Sequence, residues 1–229
     1  MARTPRVFVP NGIYHVASRG SDRRPLFLFD RDREAFLGRL ARIVESYELP
    51  CLAYCLMGNH YHLIIQTPDE RLSMALKELH GGYSTHFNRT YGRSAHLFRN
   101  RFLAQVIDSD PYLLTACRYV AHNPVRAGLC ARPSDWRWSS YRANAGIDPS
   151  PRFLSEAALR DASGGSGEWR SRYREFVESP SAVEPPPGHK KLHFRHTDDL
   201  TPPGVRHRGV SRGVRDESVN SASARVTRR

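Results

Sequence analysis

The chain has 229 residues, 39% of them hydrophobic and 25% charged, a balance typical of a globular protein over most of its length. Its 35 Lys and Arg residues against 23 Asp and Glu residues give a formal net charge of +12, which favours nucleic acid as a partner, because phosphate contacts release condensed counterions. The absence of a long apolar stretch, of an apolar signal region and of C-x-x-C spacing predicts a soluble cytoplasmic protein with no membrane contact and no disulfide framework.

The first third of the chain predicts a strand, a helix and a hairpin. Residues 13–18 alternate apolar and polar side chains, as a half-buried strand does. Asp30 offers an N-cap for a helix whose apolar residues recur at helical spacing as far as Val44. Residues 51–57 and 60–66 are two apolar runs separated by a Gly-Asn pair, which is the pattern of a tight hairpin.

The next segment predicts a helix, a strand and a further helix. Residues 72–88 have helical periodicity with a weak point at Gly81 and Gly82, and residues 101–107 favour a fourth strand. Asp110 and the proline that follows it mark the start of the further helix, since proline is tolerated at the first helical position. We expect this helix to end at Asn123, because the residue before a proline is disfavoured in the α region.

The remainder of the chain predicts a closing aromatic segment, two short helices and a tail. Trp136, Trp138 and Tyr141 are expected to pack back onto the preceding elements, and residues 156–162 and 168–177 favour helices. Residues 180–229 are rich in Pro, Arg, His, Ser and Gly without apolar periodicity, and we expect them to be a disordered basic tail.

The order strand, helix, strand, strand, helix, strand, helix predicts an α+β fold. An antiparallel sheet with helices packed on it, ferredoxin-like in outline, fits this order. We therefore expect one domain over residues 5–145, a helical extension over residues 146–179, and the tail.

Two histidines at the start of the second hairpin strand are candidate metal ligands. His60 and His62 flank a tyrosine, and strand alternation projects both from one face with their Cα atoms ~7 Å apart. Two imidazoles at this spacing can converge on one ion, although they can equally be ordinary strand residues.

Tyr119 and Asn123 are four residues apart in the last predicted helix, so they share one face near its C-terminus. A phenol in this position could reach a phosphate held by an ion, and the amide oxygen could supply a third ligand. The alternatives are a half-buried aromatic residue and a polar residue at a helix end.

Two segments resemble a known family. Residues 55–65 (CLMGNHYHLII) resemble the His-hydrophobic-His motif of the single-tyrosine HUH transposases, which are IS200-like. Residues 119–129 (YVAHNPVRAGL) are similar to the tyrosine-bearing segment of one branch, the REP-associated tyrosine transposases. Shorter similarities at residues 15–20, 87–89, 92–98, 138–141 and 173–177 keep the same order, and the resemblance runs from about residue 5 to residue 179.

The resemblance implies an HUH endonuclease fold and a concrete mechanism for the domain at residues 5–145. It assigns His60, His62 and Asn123 to a Mg²⁺ or Mn²⁺ ion and Tyr119 to attack on single-stranded or hairpin DNA. The attack leaves a 5′-phosphotyrosine and a free 3′-hydroxyl, which can later rejoin the strands. It also implies a nucleoid-associated protein, either a monomer or a homodimer. Imidazole ligands alone favour Mn²⁺ or Zn²⁺ over Mg²⁺.

Several alternatives stay open from the sequence. Tyr83 and Tyr112 are rival nucleophiles, and His122 lies in a segment where relatives carry acidic, aromatic or histidine side chains that could assist. A non-catalytic DNA-binding regulator on the same fold, or a metal phosphodiesterase that uses water, would share most of these features. Retention of both histidines, the tyrosine and the asparagine favours the transposase.

A basic and aromatic stretch between the second helix and the fourth strand indicates a DNA-binding surface. Guanidinium groups can follow phosphates while aromatic rings stack on unpaired bases. The expected DNA-binding residues, including two that follow the first strand, are Arg19, Arg23, Arg89, Arg93, Arg99 and Arg101.

Overall fold

The computed structural model describes residues 8–165 and 167–180. The predicted disordered tail, apart from its first residue, lies outside the described residues. None of the helices within these two ranges has both the length and the apolar character that a membrane span requires.

Four strands form one antiparallel sheet. They are β1 (Ile13–Arg19), β2 (Cys51–Leu56), β3 (His60–Gln66) and β4 (Leu103–Ile107). Their spatial order is β2-β3-β1-β4, with β1 paired to both β3 and β4 and with β2 paired to β3. This is the ferredoxin-like arrangement that the order of elements predicts, and the fold class is confirmed.

The two faces of the sheet carry different helices. Helices α1 (Asp30–Ser46) and α2 (Leu72–Tyr91) pack on one face, and α3 (Asp110–Arg126) packs on the other. The predicted weak point in α2 does not interrupt it, since the helix continues through both glycines. Three short helices follow α3, namely α4 (Tyr141–Asn144), α5 (Ala157–Ala162) and α6 (Trp169–Glu178).

Strand alternation decides which side chains meet which helices. Val16 and Tyr61 belong to the core beneath α1 and α2. Their neighbours along the strands, His15, His60 and His62, therefore project toward α3, because successive side chains of a strand point to opposite faces. All three histidines are buried.

The N-terminus of α1 differs from the prediction in one respect. Asp30 is the first helical residue and Phe29 occupies the N-cap position, so the prediction that Asp30 caps the helix is wrong. The carboxylate of Asp32 instead accepts hydrogen bonds from the backbone N–H groups of Leu28 and Phe29, at 2.8 and 2.9 Å. A carboxylate at the third helical position can reach back to the N–H group of the N-cap residue, as in a capping box, and Asp32 also accepts from the residue before the N-cap.

The C-terminus of α3 also differs from the prediction. The helix does not end at Asn123 but passes through Pro124 to Arg126. The residue before a proline is disfavoured in the α region but not excluded from it. Here backbone hydrogen bonds from residues after Pro124 close the last turn. The Ala127 N–H donates to the Asn123 carbonyl at 3.0 Å, and the Leu129 N–H donates to the Pro124 carbonyl at 2.9 Å.

The closing segment packs as predicted. Trp138 and Tyr141 are buried, and the indole N–H of Trp136 donates to the Leu56 carbonyl at 3.1 Å. Tyr173 of α6 enters the same core as α3, so the helical extension and α3 share apolar contacts. The four cysteines are free, and three of them are buried as small core residues.

Candidate metal and tyrosine site

His60 and His62 lie on β3 and face α3. Their side chains are buried, with exposed fractions of 1% and 0%, and their ring centroids are 5.2 Å apart at an interplanar angle of 88°. Residues two apart on a strand share a face, and this is why the sequence brings the rings together.

A neighbouring side chain holds Nδ1 of each ring. The Asn59 Oδ1 lies 2.8 Å from the His60 Nδ1, and the His15 Nε2 lies 2.9 Å from the His62 Nδ1. Hydrogen bonding at one ring nitrogen orients an imidazole so that the other can coordinate a metal. The Nε2 atoms of both rings are buried and make no hydrogen bond within the described residues, which fits a site for a divalent cation.

His15 is the part of this site that sequence reasoning missed. Its ring centroid is 5.0 Å from that of His62, and its side chain is fully buried on β1. The antiparallel register opposes Ala17 to His62, which places His15 diagonally across from His62 on the same face. Two signals in the sequence could have found it, namely its position on a predicted strand and its place at the start of the segment 15–20, which resembles the family.

Tyr119 is brought to the histidines by α3. Its ring centroid lies 5.9 Å from that of His62 and 6.0 Å from that of His15, with edge-to-face geometry in both pairs. The side chain is only 1% exposed. Helix α3 packs across β2 and β3, and the tyrosine lies on its inward face among the residues of the α3-side core.

Two opposing effects act on the Tyr119 phenol. Burial raises the pKa of Tyr119 above its ordinary value, because the charged form loses solvation. Arg126 opposes this rise through its charge and a hydrogen bond, and its Cζ atom lies 4.9 Å from the centroid of the tyrosine ring. The balance still favours the protonated phenol at neutral pH.

Asn123 lies one turn after Tyr119 and is 1% exposed. Its amide nitrogen donates to the Tyr119 carbonyl at 2.8 Å. With the nitrogen directed at the helix backbone, the amide oxygen is the atom that can serve as a ligand. The structure thus groups Asn123 with the tyrosine on the buried face of α3, and the contact that it records is with the helix backbone.

The rival residues lie elsewhere. Tyr83 is buried in the core beneath α1 and α2, on the other face of the sheet, where its hydroxyl donates to the Leu26 carbonyl at 2.6 Å. His122 is directed at α6, with its Nε2 2.8 Å from the Val177 carbonyl oxygen. Tyr112 is half-buried at the start of α3, two turns before Tyr119. Tyr119 is in ring contact with His62 and His15.

The six predicted DNA-binding arginines fall into two groups. Arg19 opposes His60 in the strand register, and the Arg99 N–H donates to the Arg19 carbonyl at 3.0 Å. Arg23 and Arg101 belong to the same end of the sheet, where the Arg23 carbonyl accepts from the Asn59 amide at 3.3 Å. The second group, Arg89 and Arg93, is exposed at the C-terminal end of α2.

Comparisons with known proteins show what this chain is similar to. The family model of the IS200-like transposases matches residues 8–123. A protein of Haemophilus influenzae that bears the name of the REP-associated tyrosine transposases is 25% identical over 162 residues, covering 66% of this chain and 92% of that protein. A solved structure of a REP-associated tyrosine transposase bound to a REP hairpin has the same fold, with a TM-score of 0.55 at 18% identity, covering 69% of this chain and 96% of that one.

The family match begins before β1 and ends at Asn123, so it contains the whole sheet and every residue of the candidate site. It covers half of the chain, and the fold agrees with it. The chain belongs to the family of IS200-like transposases.

Proposed function

We propose that this chain is a metal-dependent transposase that cuts and rejoins single-stranded DNA through a 5′-phosphotyrosine intermediate, at hairpin sequences of the REP type. The observation that carries the proposal is the meeting of a phenol and two imidazoles from separate elements, with the Tyr119 and His62 ring centroids 5.9 Å apart. A protein that only bound DNA would not need a phenol and two imidazoles together in a buried cluster.

His60, His62 and Asn123 are the residues that would hold Mg²⁺ or Mn²⁺. All three are neutral ligands, so the charge of the cation stays available to the phosphate. When bound, such a cation neutralises charge that develops on the non-bridging phosphate oxygens. Asn59 and His15 orient the two imidazoles from their Nδ1 sides.

Tyr119 supplies the nucleophile. Its oxygen forms a bond to phosphorus as the bond from phosphorus to the 3′ oxygen breaks, and the 3′ oxygen takes up a proton. Because burial keeps the phenol protonated, its proton must pass to a base during attack. The phosphotyrosine conserves the phosphodiester bond energy, so the 3′-hydroxyl can reseal the strand without an external energy source.

Access to the tyrosine requires a movement. The side chain is 1% exposed, so a DNA phosphate can reach its oxygen only if the ring or the C-terminal part of α3 shifts. We expect bound DNA to favour that shifted arrangement, because it alone permits contact between phosphate and phenol.

A DNA partner is supported by charge and by the relatives. Arg19 and Arg99 lie beside the histidine end of the sheet, where they can contact phosphates on either side of a scissile bond. The similar solved structure is described as bound to a REP hairpin, and we extend that class of substrate to this chain. The protein would act in the cytoplasm, in association with the nucleoid.

A denaturing gel tests the proposal. A labelled single-stranded hairpin is incubated with Mn²⁺ and wild-type protein, Tyr119→Phe or His60→Ala, with Tyr112→Phe as the matched control. We expect covalent adducts with wild type and Tyr112→Phe only, and hairpin binding by Tyr119→Phe close to wild type.

Other outcomes would replace the proposal. Hairpin binding without cleavage by the wild type would make the chain a non-catalytic DNA-binding regulator. Cleavage without a covalent adduct would indicate attack by water, and adducts that persist in Tyr119→Phe would move the nucleophile to another tyrosine.

A further inference from the structure

A cleft lies between α2 and the loop that precedes β4. Its volume is about 290 Å³, and it is on the opposite side of the sheet from the histidine pair. The residues that line it include His80, Ser84, Asn88, Ser94 and Phe98. The proposed covalent chemistry uses none of them.

One wall of the cleft is a fixed aromatic surface. The rings of His80 and Phe98 stack with centroids 3.9 Å apart and planes 14° apart. The Tyr61 hydroxyl lies 2.5 Å from the His80 Nε2 and holds that ring from the core side. Burial lowers the pKa of His80 to about 4, so the wall carries no charge at neutral pH.

The other lining groups are polar and suited to hydrogen bonding. Ser84 and Ser94 supply hydroxyl groups, and Asn88 braces the loop because its amide nitrogen donates to the Ala95 carbonyl at 3.0 Å. None of the residues that line the cleft is acidic. An uncharged aromatic wall with hydroxyl groups around it suits the apolar surface and the hydrogen-bonding edges of a nucleobase.

The loop connects this cleft to the proposed active site. Phe98 forms a β-bridge with Gly20, and the next residue, Arg99, bonds to the carbonyl of Arg19. Arg19 in turn opposes His60 on β3. The loop therefore lies about two strand spacings, or ~10 Å, from the strand that carries the proposed metal ligands. Arg93 and Arg99 are exposed and flank residues 94–98 of this loop in the sequence.

We infer that the cleft between α2 and the 94–98 loop binds one unpaired nucleobase of the DNA strand next to the cleaved phosphate. This inference rests on the proposed function, since it supposes single-stranded DNA at the histidine site. The base stacks along the His80 and Phe98 wall, and Arg93 and Arg99 contact the phosphates beside it. The cleft thereby helps to set which nucleotide of the strand meets Tyr119.

The test combines a protein variant in which the cleft is filled with DNA hairpins that each lack one base. Ser84→Leu fills the cleft from α2, and Thr85→Leu is the matched control because Thr85 is exposed on the same helix and does not line the cleft. Hairpins with a single-stranded flank carry an abasic site at one flank position at a time. Affinity of the full chain is measured by fluorescence anisotropy without metal.

One flank position is expected to respond in a specific way. A hairpin that lacks the base at this position should bind wild type and Thr85→Leu about 5- to 150-fold more weakly than the intact hairpin does. This is the range that stacking of one base gives. Ser84→Leu should bind the intact hairpin as weakly as wild type binds the hairpin that lacks this base. Removal of the base should cause no further loss of affinity in Ser84→Leu. Ser94→Leu, on the exposed loop side of the cleft, should repeat this result without altering α2.

The contrary results are distinct. The inference fails if no flank position is sensitive to base removal, or if Ser84→Leu and Ser94→Leu keep the positional sensitivity of Thr85→Leu. The same preparations with Mn²⁺ report on the covalent chemistry separately. Adducts without positional coupling reject the base site alone, and coupling without adducts rejects the phosphotyrosine mechanism alone.

Discussion

His15 is fully buried beside the proposed metal ligands, and its Nε2 lies 2.9 Å from the His62 Nδ1. This hydrogen bond fixes which nitrogen of His62 can face a cation. We expect His15→Phe to weaken Mn²⁺ binding about 10- to 100-fold, the usual effect of losing such a partner. Titration calorimetry with Mn²⁺ and no DNA measures it.

The control for this prediction is His15→Gln, which keeps a hydrogen-bonding side chain. It should recover most of the affinity, whereas a merely space-filling role would be served as well by phenylalanine. Wild-type Mn²⁺ affinity in His15→Phe would show that the hydrogen bond does not orient His62 for metal binding.

His80 links the stability of the fold to pH. Burial lowers its pKa to about 4, below the value of about 6.5 in the unfolded chain, so the unfolded state takes up a proton first as pH falls. The stability present above pH 6.5 is therefore lost progressively between pH 6.5 and pH 4. From this group we expect a loss of about 2 kcal/mol between pH 8 and pH 5.

Urea unfolding at several pH values measures this loss in wild type and in His80→Asn, which does not titrate in this range. The pKa of His122 is also lowered by burial, and its contribution remains in both proteins. The wild type should therefore lose more stability than the variant on acidification. Equal losses in the two proteins would contradict the prediction.

The candidate site was partly predictable from single residues. Alternation along β3 was sufficient to group His60 with His62, and the four-residue spacing on α3 was sufficient to group Tyr119 with Asn123. Whether the pair on β3 lies near the pair on α3 depends on which face of the sheet α3 covers. The spacing of residues within each pair does not contain that information. The contact of His15 with His62 could not be predicted, since it depends on the register between β1 and β3.

At the scale of elements, Asp32 connects the start of α1 to the end of α2. Its carboxylate accepts from two backbone N–H groups and from the Tyr91 hydroxyl, at 2.8 to 2.9 Å. We expect Asp32→Ala to lower the free energy of unfolding by about 2 kcal/mol, because two partly buried N–H groups and the Tyr91 hydroxyl lose their acceptor. Chemical denaturation measures the change.

Asp30→Ala is the matched control. Asp30 is exposed and its pairs with Arg33 and Arg137 are 3.5 and 3.6 Å long, so its removal should cost no more than about 1 kcal/mol. A larger loss from Asp30→Ala than from Asp32→Ala would mean that the residue predicted from the sequence does cap the helix.

The elements themselves followed from periodicity, whereas the N-cap of α1 and the C-terminal end of α3 did not. The hairpin and the apolar stripe of α1 are set by local pattern, and both are confirmed. The end of α3 depends on bonds made by residues after Pro124, and the cap of α1 depends on a carboxylate that also bonds to α2. Such choices depend on tertiary contacts that a local pattern does not contain.

At the scale of the whole molecule, the candidate site can be formed by one chain or shared between two chains. Tyr119, His15 and His62 of one chain are in ring contact, and we infer from this that one chain forms the candidate site by itself. A tyrosine supplied by a partner would instead allow two defective chains to complement one another. Mixing Tyr119→Phe with His60→Ala distinguishes these arrangements.

We expect the mixture to form no covalent adduct on a hairpin with Mn²⁺, because each chain lacks one half of its own site. Wild type mixed with either variant should give adducts in proportion to the wild-type chain alone. Adducts in the mixture of the two variants, measured on a denaturing gel, would require the tyrosine of one chain to act at the histidines of another. In that case α3 would have to leave the position against β2 and β3 that buries Tyr119 here.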